Sequence, residues 1–197
     1  MAIESGQAIV CADLQSVGGT RTILIREWKA DDIIGYTKNI SSIYKIRDVG
    51  DVTATWGVYE SKIESSSLTV NATNEGKDTT TVETTLSFNL PYLERTKIVR
   101  LNEFEGKCLM VLVIDNNDDG SNNSNLVMGI SDKYRSTYRV TDGQTYARLA
   151  SVEGGTGAAF SDENGVTVTL TCTAFELPMT YTSDVVIAGT GLTATTD

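Results

Sequence analysis

Apolar and polar residues alternate with a period of two along most of this chain. From Val166 to Ala174, the residues Val166, Val168, Leu170, Cys172 and Ala174 alternate with Thr167, Thr169, Thr171 and Thr173. Successive side chains of a strand point to opposite faces, so the pattern predicts a strand with one buried and one exposed face. The stretch Thr79 to Leu90 reads the same way. Val82, Leu86, Phe88 and Leu90 lie on one face, and Thr79, Thr81, Glu83, Thr85, Ser87 and Asn89 on the other. Further strands are predicted at Thr20 to Trp28, Ser42 to Arg47, Tyr146 to Val152 and Val185 to Ala188. Val52 to Asn71 reads as one long, partly polar strand bent near Gly57, forming a long hairpin with Thr79 to Leu90. Lys107 to Ile114 is nearly all apolar and is expected to be buried on both faces, with Leu126 to Ile130 as its hairpin partner. Turns are expected at Asn74 to Asp78, Asp115 to Asn125, Gly154 to Gly157 and Asn164-Gly165.

One segment breaks the period. Pro91 to Glu105 places Ile98, Leu101 and Phe104 on one helical face. Asn89 suits the cap, Pro91 the first turn and Gly106 the stop. Arg95, Lys97 and Arg100 are expected to face outward, and a helical turn is expected at Ala30 to Ile34. The fold class that follows is mostly β: an antiparallel β-sandwich or open barrel of roughly eight to ten strands with one flanking α-helix.

Composition narrows the function. With 197 residues, the chain is long enough for one domain with a sizeable core. Histidine is absent, which excludes Ser-His-Asp and Cys-His catalysis and His-ligated zinc. The three cysteines, Cys11, Cys108 and Cys172, form no CxxC pair and are expected to be reduced, buried thiols. The net charge of −10 disfavours gripping phosphate backbones, an affinity that rests on Lys and Arg. No apolar run reaches the ~20 residues of a membrane-spanning helix. The first residues carry no basic start followed by an apolar stretch, so synthesis and first use in a cytoplasm are expected.

The motifs that resemble chemical sites are incomplete. Asp115 to Gly120 matches the opening of an EF-hand loop, but the twelfth position, which needs a bidentate Glu, is Leu126. Gly154-Gly155-Thr156-Gly157 lacks the following Lys-Ser or Lys-Thr of a phosphate loop and reads as a turn. Asp31-Asp32 and Asp162-Glu163 read as solvated acids, although an acid pair is what glycoside hydrolysis uses. The triplets at Asn39, Asn71 and Asn122 matter only in a secreted eukaryotic protein. No catalytic residue, metal or cofactor is assigned.

The long hairpin carries more information. Its polar faces hold Thr, Ser and Glu with almost no Lys, and its edges show no proline. Unprotected edges pair with other chains, and closing a ring removes them. The candidate lumen-facing or inter-subunit residues are Glu64, Ser66, Thr81, Glu83, Thr85 and Ser87. The candidate docking arm is Val185, Val186 and Ile187, within a C-terminal arm (179–197) that follows a main β domain (1–178). The competing reading is a carbohydrate-binding β-sandwich, for which Trp28, Trp56, Tyr59 and Tyr181 are the candidate aromatics.

Several blocks together resemble a known group. Cys11, Gly18-Gly19, a strand into Trp28 and Asp31-Asp32-Ile33 form the first. Pro91 to Gly106 followed by Val111 to Asn117 forms the second, and Leu126-Val127-Met128-Gly129 the third. Gly155-Thr156-Gly157, Ser161-Asp162 and Asn164-Gly165 lead into the threonine-rich strand ending at Phe175-Glu176-Leu177-Pro178. Over roughly residues 8 to 178 this resembles bacteriophage tail-tube-fold structural proteins, including tail ring proteins of crAss-like phages of Bacteroides. The turn at Asp118 to Asn125 is longer than in that pattern, and the arm after Pro178 is extra. The resemblance implies a non-enzymatic virion protein, made in the bacterial host cytoplasm and located in the tail. It implies copies assembled in a six- or twelve-fold ring beside other tail or portal-side proteins. It also implies a channel that passes DNA and ejected proteins without specific binding, and no membrane partner.

Overall fold

A computed structural model of the chain describes residues 18–28, 36–38, 44–46, 55–61, 64–74, 76, 80–92, 94–117, 125–129, 145–157, 164–181, 185–187 and 193–194. In chain order these form β1 (Thr20–Glu27), β2 (Tyr36–Lys38), β3 (Tyr44–Ile46), β4 (Thr55–Tyr59), β5 (Ser66–Asn74), β6 (Thr80–Pro91) and α1 (Arg95–Asn102). There follow β7 (Leu109–Asp115), β8 (Asn125–Met128), β9 (Arg148–Gly155), β10 (Gly165–Ala174), β11 (Met179–Tyr181), β12 (Val185–Ile187) and β13 (Thr193–Ala194). The expected helical turn at Ala30 to Ile34 and Cys11 lie outside the described residues.

The strands form two sheets. One has nine strands in the order β13-β12-β4-β1-β7-β8-β11-β3-β2, and the other has four in the order β5-β6-β10-β9. The mostly β, sandwich-type fold with one flanking helix is therefore as the alternating pattern predicts. The four-stranded sheet is antiparallel throughout. In the larger sheet β11 runs parallel to β3 and β12 parallel to β4, while the other pairings are antiparallel. The strand count exceeds eight to ten because Val52 to Asn71 holds two strands and because β2, β11 and β13 are three residues or fewer, too short to leave a legible period.

The principal core lies between the sheets and under α1. Ile23, Ile25, Val111 and Val113 face Leu86, Phe88, Val168 and Leu170, with Leu101 and Phe104 closing one side. A second cluster sits on the opposite face of the nine-stranded sheet, where Leu24, Trp56, Met110, Leu112 and Val127 are buried. β7 therefore has core on both faces, as its uninterrupted apolar run predicts. Arg26 lies in that second layer, its guanidinium 4.6 Å from the Trp56 ring centroid, an arrangement that retains some attraction for a buried cation.

Two expectations are corrected. Val52 to Asn71 is not one strand. It divides into β4, in the larger sheet, and β5, in the smaller. Between them Glu64 takes φ of 61°, in the turn before β5. The hairpin is β5–β6, with Ser66 opposite Phe88 and Asn74 opposite Thr80. The helix is also shorter than Pro91 to Glu105. Pro91 ends β6 opposite Gly165, and the helix begins at Arg95 after Glu94. Asn89 does not cap it: its amide donates to Thr167 Oγ1 across the sheet at 3.3 Å. A proline at a strand terminus needs no N–H donor, so it serves there as well as in a first helical turn. Gly106 is not the helix stop: the helix ends at Asn102 with Glu103 as its cap, and Gly106, at φ of 70°, ends the turn that follows. Leu101 and Phe104 are buried, whereas Ile98 is 41% exposed. Arg95 and Arg100 face out, but Lys97 folds back and donates to the Pro91 and Tyr92 carbonyls.

Candidate functional site

The register of the four-stranded sheet assigns every residue of β5, β6, β10 and β9 to a face. One face is apolar: Leu68, Leu86, Leu170 and Leu149 form a row across all four strands. The opposite face is a grid of hydroxyls. Ser67, Ser87, Thr169 and Ser151 form one row, and Thr69, Thr85, Thr171 and Arg148 the next. Asn71, Glu83 and Thr173 follow, then Thr73 and Thr81; Thr167 and Glu153 lie at the other end. The grid arises because three strands repeat the same alternation in matched register. β9 keeps in step through an irregularity between Thr169 and Leu170, which leaves Ala150 as the extra residue and returns Ser151 and Glu153 to the hydroxyl face. Gly154 closes β9 against β10, because a Cβ there would run into the Gly165 carbonyl.

The ionisable groups on this face are Glu83, Glu153 and Arg148. Arg148 lies over the Tyr146 ring at 4.6 Å and donates to its hydroxyl at 2.6 Å. Among the described residues β5 and β9 are the sheet's two edges. β5, SSLTVNATN, contains no charged residue and no proline, so it lacks the usual protections of an edge strand.

The candidate residues from the sequence divide on this frame. Thr81, Glu83, Thr85 and Ser87 lie side by side on the hydroxyl face of β6, with Glu83 the most prominent charge. Glu64 is exposed but sits in the turn before β5, off the grid. Ser66 is a correction: it is 9% exposed and turned inward. Thr20 Oγ1 donates to Ser66 Oγ at 2.6 Å, and Ser66 Oγ donates to the Thr20 carbonyl at 3.1 Å, tying the start of β5 to β1 of the other sheet. Alternation assigns Ser66 to the inward face, but a serine there gives no apolar signal. Asn89 and Thr84 are likewise buried polar residues. The β10 threonines and β9 residues of the grid are not among the candidates from the sequence; their legible signal is the Thr-x-Thr repeat from Thr167 to Thr173. The arm residues Val185, Val186 and Ile187 form β12, which pairs in parallel with β4 of its own chain, Val186 opposite Thr55 and Ile187 opposite Trp56. β11, also beyond Pro178, lies inside the nine-stranded sheet between β8 and β3.

The aromatic candidates do not form a platform. Trp56 is fully buried. Tyr59 packs 5.5 Å from Phe104 and 6.3 Å from Phe88. Burial raises its phenol above the ordinary value, while the Arg100 guanidinium hydrogen-bonded to it pulls the other way. Trp28 is half-buried and tilted against Tyr146 at 6.4 Å. The Tyr181 side chain lies outside the described residues. The start of the calcium-like loop is occupied structurally: Asp115 Oδ1 accepts from Asn117 N at 2.8 Å, and Asn116 Nδ2 donates to the Gly18 carbonyl at 2.8 Å. Residues 118–124 lie outside the described set. Cys172 is buried and donates to the Thr145 carbonyl at 2.8 Å, and burial pushes its thiol up to about 12. A thiol held protonated this way is a poor nucleophile. Cys108 is half-buried.

Comparison with known protein families, with characterised proteins and with solved structures yields no match for this chain. Its function is therefore argued from its own geometry.

Proposed function

We propose that this protein is a structural subunit of a bacteriophage tail tube or ring, with the hydroxyl face of the four-stranded sheet lining a channel. The observation that carries the reading is the grid itself. It is a continuous polar face, sparse in charge, on a sheet whose two edges remain open among the described residues. Edge strands of neighbouring copies supply each other's missing backbone partners, and a closed ring leaves none unpaired. A wall of hydroxyls suits a conduit. Without clustered Lys or Arg it has no electrostatic grip on phosphates. Two carboxylates against one guanidinium add only slight repulsion, so the chain's net charge of −10 is not concentrated on this face.

The test is microscopy of the purified full chain alongside its mass in solution. Rings or tubes with a central hole are the expected result. If such rings form, particles carrying Glu83→Lys should assemble normally but deliver DNA more slowly. Unchanged delivery would remove the channel role from this face.

A further inference from the structure

Beside the β9 edge lies a mostly apolar groove of about 460 Å³ between that strand and α1. Ile98 and Leu101 form its helix wall, and Asn102 and Glu105 add polar groups from the end of α1 and the turn after it; Leu149, Ala150, Ser151 and Val152 form its strand wall, and Val166 contributes to its lining. Ile98 and Val152 are 41% and 44% exposed, which is costly for a paired set of aliphatic side chains. A helix set beside an open strand edge is the geometry of strand addition. The incoming strand takes the backbone hydrogen bonds, and its alternate side chains enter the groove.

We infer that this groove is the socket for β5 of a second copy of this chain, joining copies head to tail. The inference rests on the ring reading and names the surfaces that would make it. β5 suits the socket on three counts. It is an edge of nine residues, open among the described residues and close to the eight of β9. It carries no charge to be desolvated beside Ile98 and Val152. Its inward-facing residues are Leu68 and Val70, both half-exposed, and Ala72, exposed; these are the aliphatic side chains that the groove would cover. Its other face, Ser67, Thr69, Asn71 and Thr73, would continue the hydroxyl grid without a break.

Self-pairing of either edge fits worse. Two-fold pairing of β9 that sets Arg148 against Glu153 of a second copy also sets Leu149 against its Val152. The next position of that register brings Gly154 of the second copy onto Ala147. That edge is taken, because Ala147 exchanges two 2.9 Å backbone hydrogen bonds with Leu109. Pairing β5 with β5 leaves both grooves open. Head-to-tail joining uses both edges once per copy and closes as a ring or extends as a filament.

The experiment uses two full-length variants, each blocked at one edge. Val152→Glu places a charge in the groove, and Val70→Lys places one on the inserting face of β5. Ala72→Lys is a second choice if Val70→Lys lowers the melting temperature. Sedimentation and light scattering are read on each alone and on an equimolar mixture. Each variant alone should associate at least about tenfold more weakly than the unmodified chain. The mixture should form 1:1 heterodimers and nothing larger, since one intact socket and one intact β5 remain. If both variants assemble like the unmodified chain, or the mixture stays monomeric while the unmodified chain forms rings, the socket is wrong and the ring reading stands. If the unmodified chain stays monomeric at every concentration, both fall.

Discussion

β7 and β10 lie in facing sheets, yet they solve different problems. β7, LMVLVID, is buried on both faces and gives its apolar side chains to two separate clusters. β10, GVTVTLTCTA, gives one face to the core and presents threonines on the other. The nine-stranded sheet is thus the scaffold, covered on both sides of its centre. The four-stranded sheet is a panel with a finished inner face and an available outer one. Stability should reside in the first, and exchangeable contacts in the second.

The sharpest way to break this contrast is to truncate one residue in each. Leu112→Ala removes a fully buried side chain from the second cluster, and denaturant unfolding should show a loss of about 2–5 kcal/mol. Thr171→Ala, on the hydroxyl grid, should cost no more than about 1 kcal/mol. Equal losses would mean that the grid is as structural as the scaffold.

Alkaline pH probes the inner face of the panel. The Cys172 thiol is raised from 9.0 to about 12 in the folded chain. The folded state therefore keeps a proton that the unfolded state gives up. The associated stability is fully present below pH 9 and is lost as pH rises toward the folded value, at about 1.4 kcal/mol per unit. Tyr59, also raised, adds to the loss above its ordinary value of 10.0. Replacing Cys172 with Ser should flatten the slope between pH 9 and 10 while leaving the Tyr59 part. An unchanged slope would show that the thiol is not sealed in.

A smaller effect tests the seam between the sheets. Ser66→Ala removes the side chain that both accepts from Thr20 Oγ1 and donates to its carbonyl. A loss of roughly 1–3 kcal/mol is expected, because buried partners are left unsatisfied. Smallest of all, Glu83→Lys should shift stability by about 0.5 kcal/mol or less, as surface substitutions do. Its consequence belongs to passage through the proposed channel, and a melting curve beside a delivery assay separates the two.

The exposed panel face is largely legible in the sequence. Thr81, Glu83, Thr85 and Ser87 were assigned by alternation alone, because period-two patterning fixes which side chains share a face once a strand is granted. The double burial of β7 was legible for a related reason: an uninterrupted apolar run cannot leave one face in water without penalty. Missing were the β10 and β9 members of the grid and the inward turn of Ser66. A strand's own pattern does not say which strands lie beside it, and a serine gives no apolar signal of burial.

By itself, the sequence determined that the chain is built of strands with one helix, that this helix lies between Pro91 and Gly106, and that a threonine-rich face opposes an apolar one. These are local facts, written in side-chain period and backbone preference. Only the tertiary structure decided that Val52 to Asn71 splits between two sheets and that Pro91 closes a strand. It also decided that Val186 and Ile187 pair with β4 of their own chain, and that α1 stands beside β9, an edge of its sheet among the described residues. Those outcomes depend on which distant segments compete for the same backbone hydrogen bonds. That competition is settled by packing across the sandwich, where no local pattern reaches.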